Sequence, residues 1–119
     1  MSEHIDIFCK IIHKEIPADV VAEGADWIAI RDIHPQTPVH ILLLPKRHIP
    51  DVASLVESDT LLMGSLIQGV RQVAQQLGID KDGYRIIINQ GEHAGQVVPH
   101  VHVHLLGGRH LGPKIVHSV

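Results

Sequence analysis

His100-Val101-His102-Val103-His104-Leu105-Leu106 is the stretch that decides the fold. Side chains of an extended strand point to alternate faces with a period of two. The alternation therefore sets three imidazoles on one face and Val101, Val103 and Leu105 on the other. An apolar row against a core and an imidazole row toward a cavity describe a half-buried strand with chemistry on its open side. Imidazole titrates near neutrality, so these rings can act as nucleophile, proton carrier or metal ligand.

Alternate strand positions do supply imidazoles to zinc sites. Strand metal sites usually add a downstream carboxylate, however, and no Asp or Glu follows Glu92. Three histidines can also simply fill a polar sheet face. Neither reading accounts for Gly95-Gln96-Val97-Val98-Pro99, which runs directly into the triplet. A glycine-initiated loop lets backbone N–H groups and an amide side chain approach an anion closely. Gln96 is then placed to donate to a phosphate oxygen. The stretch after Glu92 also carries Arg109, Lys114 and six histidines, which favours a small anion.

The 119 residues fit one domain, 1–119, with room for a genuine core. Phe8, Trp27 and Tyr84 are the only aromatics, too few for a base-stacking platform. A formal net charge of −3 gives no basic field for a polyanion, so no nucleic-acid partner is expected. The single Cys9 excludes an intramolecular disulfide and fits a reducing compartment. No apolar run reaches membrane-spanning length and the N-terminus lacks the layout of a secretion signal. The expected location is the cytoplasm.

Outward from the histidines, Ile7 to Ile12 reads as a short helical turn stopped near Pro17. Val20–Glu23 and Trp27–Arg31 read as strands joined by Gly24-Ala25-Asp26. His40 to Leu44 is an apolar strand ended by Pro45. From Ser58 or Asp59 to Leu77, the positions Leu62, Leu66, Val70, Val73 and Leu77 recur at helical spacing. Ser58 or Asp59 would cap that helix and Gly78 would stop it. Asp80 to Gly83 turns into a strand over Tyr84 to Asn89, and the histidine strand is expected to start around Val97. The tail from Gly107 is irregular. The sum is an α+β domain, a mostly antiparallel sheet with one long helix.

The full pattern of His100 to Leu106 resembles the signature of the histidine-triad (HIT) superfamily of nucleotidyl hydrolases and transferases. Phe8-Cys9-Lys10-Ile11-Ile12, Lys14-Glu15-Ile16-Pro17, Arg31-Asp32-Ile33, Pro45-Lys46-Arg47-His48 and Leu105-Leu106-Gly107-Gly108-Arg109 extend the resemblance to its Hint branch over about residues 7 to 109. The Leu-Gly-Gly-Arg ending is most similar to the bacterial purine nucleoside phosphoramidases. The resemblance implies a HIT-like fold of about five antiparallel strands, a short N-terminal helix and one long helix. It also implies a homodimer in which the sheet runs on across a two-fold.

The implied activity is hydrolysis of purine nucleoside 5′-phosphoramidates, AMP- or GMP-linked amines and acyl adenylates. His102 would attack the α-phosphorus and carry a covalent nucleotidyl intermediate. The carbonyl of His100 would hold the His102 tautomer, and His104 and Gln96 would contact phosphate oxygens. His104 would protonate the leaving amine, and His40 would complete the polar network behind the triad. Asp32 would accept from the ribose hydroxyls, and Phe8, Ile11, Ile16, Ile30 and Ile33 would line the base slot. Asn89, Gly95, Val97 and Val98 complete the implied nucleotide contacts.

No cofactor is required by this scheme, and no metal. Val97 stands where many relatives carry a serine, and Ile30 where an aromatic often lines the slot. Some bacterial relatives hold a structural zinc through a C-x-x-C pair and two histidines. Asp6 takes the first cysteine position here, which leaves Asp6, Cys9, His48 and His100 as a mixed candidate set. Two alternatives share the residues: a nucleotide-binding regulatory or scaffold module with low turnover, and a dinucleoside polyphosphate hydrolase.

Overall fold

The structure is a computed structural model that describes residues 6–113. Helix α1 (Ile7–Ile12) is followed by strands β1 (Val20–Glu23), β2 (Trp27–Arg31) and β3 (Val39–Pro45). Helix α2 (Thr60–Gln76), β4 (Tyr84–Ile87) and β5 (Val103–Gly107) complete the order. The strands form one antiparallel sheet in the order β1-β2-β3-β5-β4. This is the α+β arrangement expected from the sequence. Beyond β5, Gly108 to Pro113 has no regular structure, and the rest of the expected irregular tail lies outside the described residues.

Alternation along the central strands builds two unlike faces. Ala29, Ile41, Leu43, Val103 and Leu105 point to one side, where Leu66, Val70, Val73 and Ala74 of α2 cover them. Burying these branched chains supplies the main stabilisation, about 1.5–3 kcal/mol for each fully buried one. Gly69 of α2 lies against the Trp27 indole, and a Cβ there would stand 2.6 Å from the ring. Ile28, Ile30, Leu42 and Leu44 point to the other side, where α1 contributes Phe8 and the partly buried Ile11 and Ile12.

Helix α2 stops as its sequence dictates. Gly78 takes a φ of +74°, which favours glycine, and Ile79 N–H returns to the Ala74 carbonyl at 3.0 Å. Its start differs from expectation. Asp59 stands at the cap position, but its carboxylate accepts from Val56 N–H and pairs with Arg47 instead of capping the helix.

Two strand limits are also corrected. β5 begins at Val103 rather than around Val97. Pro99 has no N–H, His100 N–H turns back to the Val98 carbonyl, and Val101 N–H bonds the Ile49 carbonyl, so this segment leaves the ladder. β4 accordingly ends at Ile87, which opposes His104, instead of reaching Asn89.

Candidate functional site

β3 and β5 lie side by side and set the histidines by register. His40 opposes Leu106 and Leu42 opposes His104, so His40 and His104 are diagonal neighbours on one face. Their rings meet with His40 Nε2 3.0 Å from His104 Nδ1. Asp32 follows the end of β2, where its N–H bonds the His40 carbonyl. That bond brings Asp32 Oδ2 to 3.4 Å from His40 Nε2. Burial lowers the pKa of His40, against the opposing charge of Asp32. Burial also lowers His104, helped by the neighbouring charges that His102 and His40 would carry. Both rings are therefore neutral near neutral pH.

His102 is held differently. Its Nδ1 donates to the carbonyl of His100 at 2.7 Å. A carbonyl only accepts, so the proton sits on Nδ1 and the lone pair on Nε2. No described residue hydrogen-bonds that Nε2. Phe8 packs edge-to-face with the ring at a centroid distance of 5.1 Å, which limits its rotation. The arrangement is an oriented imidazole lone pair beside a second imidazole, with ring centroids of His102 and His104 5.2 Å apart.

His100 is not part of this open row. It is fully buried, and its Nε2 donates to the Pro45 carbonyl at 3.0 Å. Its Nδ1 faces Asp6 Oδ2 at 3.3 Å and Cys9 Sγ at 3.6 Å. His48 Nδ1 lies 3.1 Å from the same Asp6 oxygen and 3.4 Å from the Cys9 sulfur. Burial would raise Asp6, but the Cys9 amide and the charge His100 would carry bring its pKa below the usual value.

These four donors have the chemistry and spacing of a tetrahedral metal shell. Zinc held at about 2.0–2.1 Å by N and O and about 2.3 Å by S requires ligand separations of about 3.3–3.6 Å. The separations in the structure, 3.1 to 3.6 Å, fall close to that range. The Pro45 carbonyl on the far nitrogen of His100 is the usual partner of a ligating imidazole.

The apolar residues expected at the base slot divide. Phe8 and Ile30 sit in one cluster with Ile11 and Val98 packed on it. Ile33 is 84% exposed and Ile16 stands outside the cluster. Val97 is 89% exposed on the loop, and Asn89 is half-buried past the end of β4. Gly95 supplies a left-handed turn with a φ of +83°.

Gln96 is committed elsewhere than expected. Its Oε1 accepts from Gly91 N–H, and its Nε2 donates to the Pro50 and Val98 carbonyls. Both amide hydrogens are used, so the side chain braces the loop rather than pointing a donor outward. Gln90 adds a second brace, accepting from Ala53 N–H at 2.7 Å. The sequence carried no mark for this bracing beyond two glutamines flanking a glycine loop.

A depression of about 1040 Å³ shares no residue with His40, His100, His102 or His104. It runs between the turn after α2 and the Gly108–Gly112 stretch, lined by Tyr84, Arg85, Arg109 and His110 among others.

A family model for the HIT domain matches residues 13–111. The chain is 47% identical over 112 residues to the purine nucleoside phosphoramidase of Escherichia coli K12, covering 94% of each. A HIT family hydrolase from Clostridium thermocellum superposes with a TM-score of 0.92 at 44% identity, covering 97% of this chain and 100% of that one. A HIT family hydrolase from Legionella pneumophila superposes with a TM-score of 0.89 at 41% identity, covering 91% and 96%.

Proposed function

The chain belongs to the HIT domain family, and on that premise we propose that it is a purine nucleoside phosphoramidase. The substrate is an AMP- or GMP-linked amine or an acyl adenylate. His102 Nε2 attacks the α-phosphorus, the P–N bond breaks, and the amine leaves with a proton from His104. A nucleotidyl group is then bound to Nε2 of His102. Water attacks the same phosphorus and returns a proton to His104, the P–N bond to the histidine breaks, and the nucleoside monophosphate departs. Splitting the displacement in two lowers each barrier, the ordinary benefit of covalent catalysis.

The observation that carries this reading is the 2.7 Å bond from His102 Nδ1 to the His100 carbonyl, which leaves Nε2 as a free lone pair. Asp32 takes the ribose hydroxyls on Oδ2, while its Oδ1 accepts from His34 N–H at 2.7 Å. Phe8, Ile11 and Ile30 support the base. Val97 offers only its backbone N–H where a serine hydroxyl would serve, so the leaving group is held by fewer donors. Incubation with adenosine 5′-phosphoramidate and an acid quench should trap a nucleotidyl adduct on His102. A protein that binds AMP yet yields neither adduct nor product would instead be a nucleotide-binding module. Faster turnover of diadenosine polyphosphates than of phosphoramidates would make it a dinucleoside polyphosphate hydrolase.

The protein acts in the cytoplasm as a homodimer, with α2 and the β4 edge meeting across a two-fold. Leu61 and Ile67 on α2 and Tyr84 and Ile86 on β4 are exposed apolar residues that such a contact would cover. Light scattering at monomer mass would refute it.

The spacing of Asp6, Cys9, His48 and His100 favours a second reading for that corner: a structural zinc site. Zinc there would tie α1 to the entrance of β5 and hold the His100 backbone that orients His102. Elemental analysis of protein purified without chelator should find about one zinc per chain in the wild type and none in Cys9→Ala.

A further inference from the structure

We infer that the backbone N–H of Gln36 sets, through His40, the tautomer of His104, so that His104 offers Nε2–H to the substrate. Gln36 N–H donates to His40 Nδ1 at 3.0 Å. A peptide N–H cannot accept, so His40 Nδ1 carries a lone pair and its proton resides on Nε2. That Nε2–H lies 3.0 Å from His104 Nδ1. Two N–H groups cannot face each other at that distance. His104 Nδ1 must therefore be the acceptor, and the His104 proton sits on Nε2. Asp32 Oδ2, 3.4 Å from His40 Nε2, can share the His40 proton but does not alter where it resides.

The direction is opposite to that of His102, two residues away. There a carbonyl acceptor places the proton on Nδ1 and leaves Nε2 as a base. Here a peptide donor, passed through one intervening ring, leaves Nε2 protonated. The entrance to β5 thus carries a nucleophile and a hydrogen-bond donor two residues apart, made from the same residue type by opposite backbone partners. Gln36 is a positioning residue in this scheme: its peptide group acts, and its side chain only donates to the His34 carbonyl at 3.1 Å. Burial keeps both rings neutral above neutral pH, so the tautomers are well defined there.

The consequence for turnover rests on the phosphoramidase reading; the tautomers do not. Imidazole ¹⁵N spectra of the unsubstituted protein at pH 8 should show Nε2–H for His40 and His104 and Nδ1–H for His102. Nδ1–H on His104 would overturn the inference whatever the enzyme's substrate. Gln36→Pro deletes the peptide donor and Gln36→Ala keeps it. Gln36→Pro should populate the other His40 tautomer and lower kcat about tenfold for an alkylamine phosphoramidate, with KM within about twofold. For an adenylate whose leaving group departs without a proton the loss should be under about twofold, and Gln36→Ala should match wild type. Equal losses for both leaving groups, or for both variants, would overturn the role in turnover. Should Gln36→Pro not fold, the spectra of the unsubstituted protein still decide the tautomer.

Discussion

Two clusters, each of one aspartate and two histidines and one with a cysteine added, flank His102, and they have become different devices. Asp6, Cys9, His48 and His100 form one; Asp32, His40 and His104 form the other. In the first, His100 is wholly buried and gives its only proton to the Pro45 carbonyl, so its remaining lone pair meets those of its neighbours at one point. In the second, each proton is handed on in a line from Gln36 N–H to His40 to His104. Converging lone pairs suit a cation, whereas a line of donors ends in a hydrogen aimed outward. The partner of the far nitrogen decides which device an imidazole becomes; the residue type does not.

The heaviest perturbation removes the ring between the clusters. His102→Ala should lower hydrolysis of adenosine 5′-phosphoramidate by about four orders of magnitude, the scale seen when a covalent nucleophile is lost. Thermal unfolding should change little, and steady-state kinetics beside a melting curve checks both. Next, Leu105→Ala removes a fully buried side chain that anchors β5 under both clusters. It should cost about 2–5 kcal/mol in denaturant unfolding.

A smaller effect separates the clusters directly. Asp6→Ala strips a buried partner from His100 and His48 and the cap from Cys9 N–H, and should cost about 1–3 kcal/mol. Asp32→Ala, on the more open side, should instead raise KM for the nucleotide with a smaller change in stability. Smallest of all is an acid effect in the second cluster. Burial lowers His40 and His104 below the ordinary value of 6.5, with Asp32 opposing and the charge on His102 adding to the fall for His104. Their contribution to stability is complete above pH 6.5 and is lost as pH falls through the folded values. Unfolding midpoints should decline over that window, and less steeply in His40→Gln.

The β1–β2 hairpin was legible residue for residue, because two short apolar runs and the Gly-Ala-Asp turn between them say the same thing locally. The body and end of α2 were legible too, where apolar spacing and stop glycine agree, but not the cap at its start. The imidazole row was half legible. Period-two reasoning separated Val101, Val103 and Leu105 from the histidines correctly, yet His100 turned out sealed, with Nε2 on the Pro45 carbonyl and Nδ1 facing Asp6. Its surroundings come from α1 and from the end of β3, about ninety and fifty residues away in sequence, and no local pattern reports them. The partners of Gln96 were illegible for a related reason: a glutamine that braces a loop and one that grips a ligand look alike until the carbonyls of Pro50 and Val98 are in place.

The two borders of the sheet are unequal. β1 breaks register between Val20 and Ala22, and Gln76 of α2 occupies the Val21 carbonyl. β4, at the opposite border, keeps regular pairing from Tyr84 to Ile87 on its inner side, with no such kink. A kinked, occupied rim resists templating by another chain, while a straight one invites it. Self-association by strand addition therefore has one usable rim per molecule and terminates after a single pairing, which protects a strand-rich protein from growing into fibres.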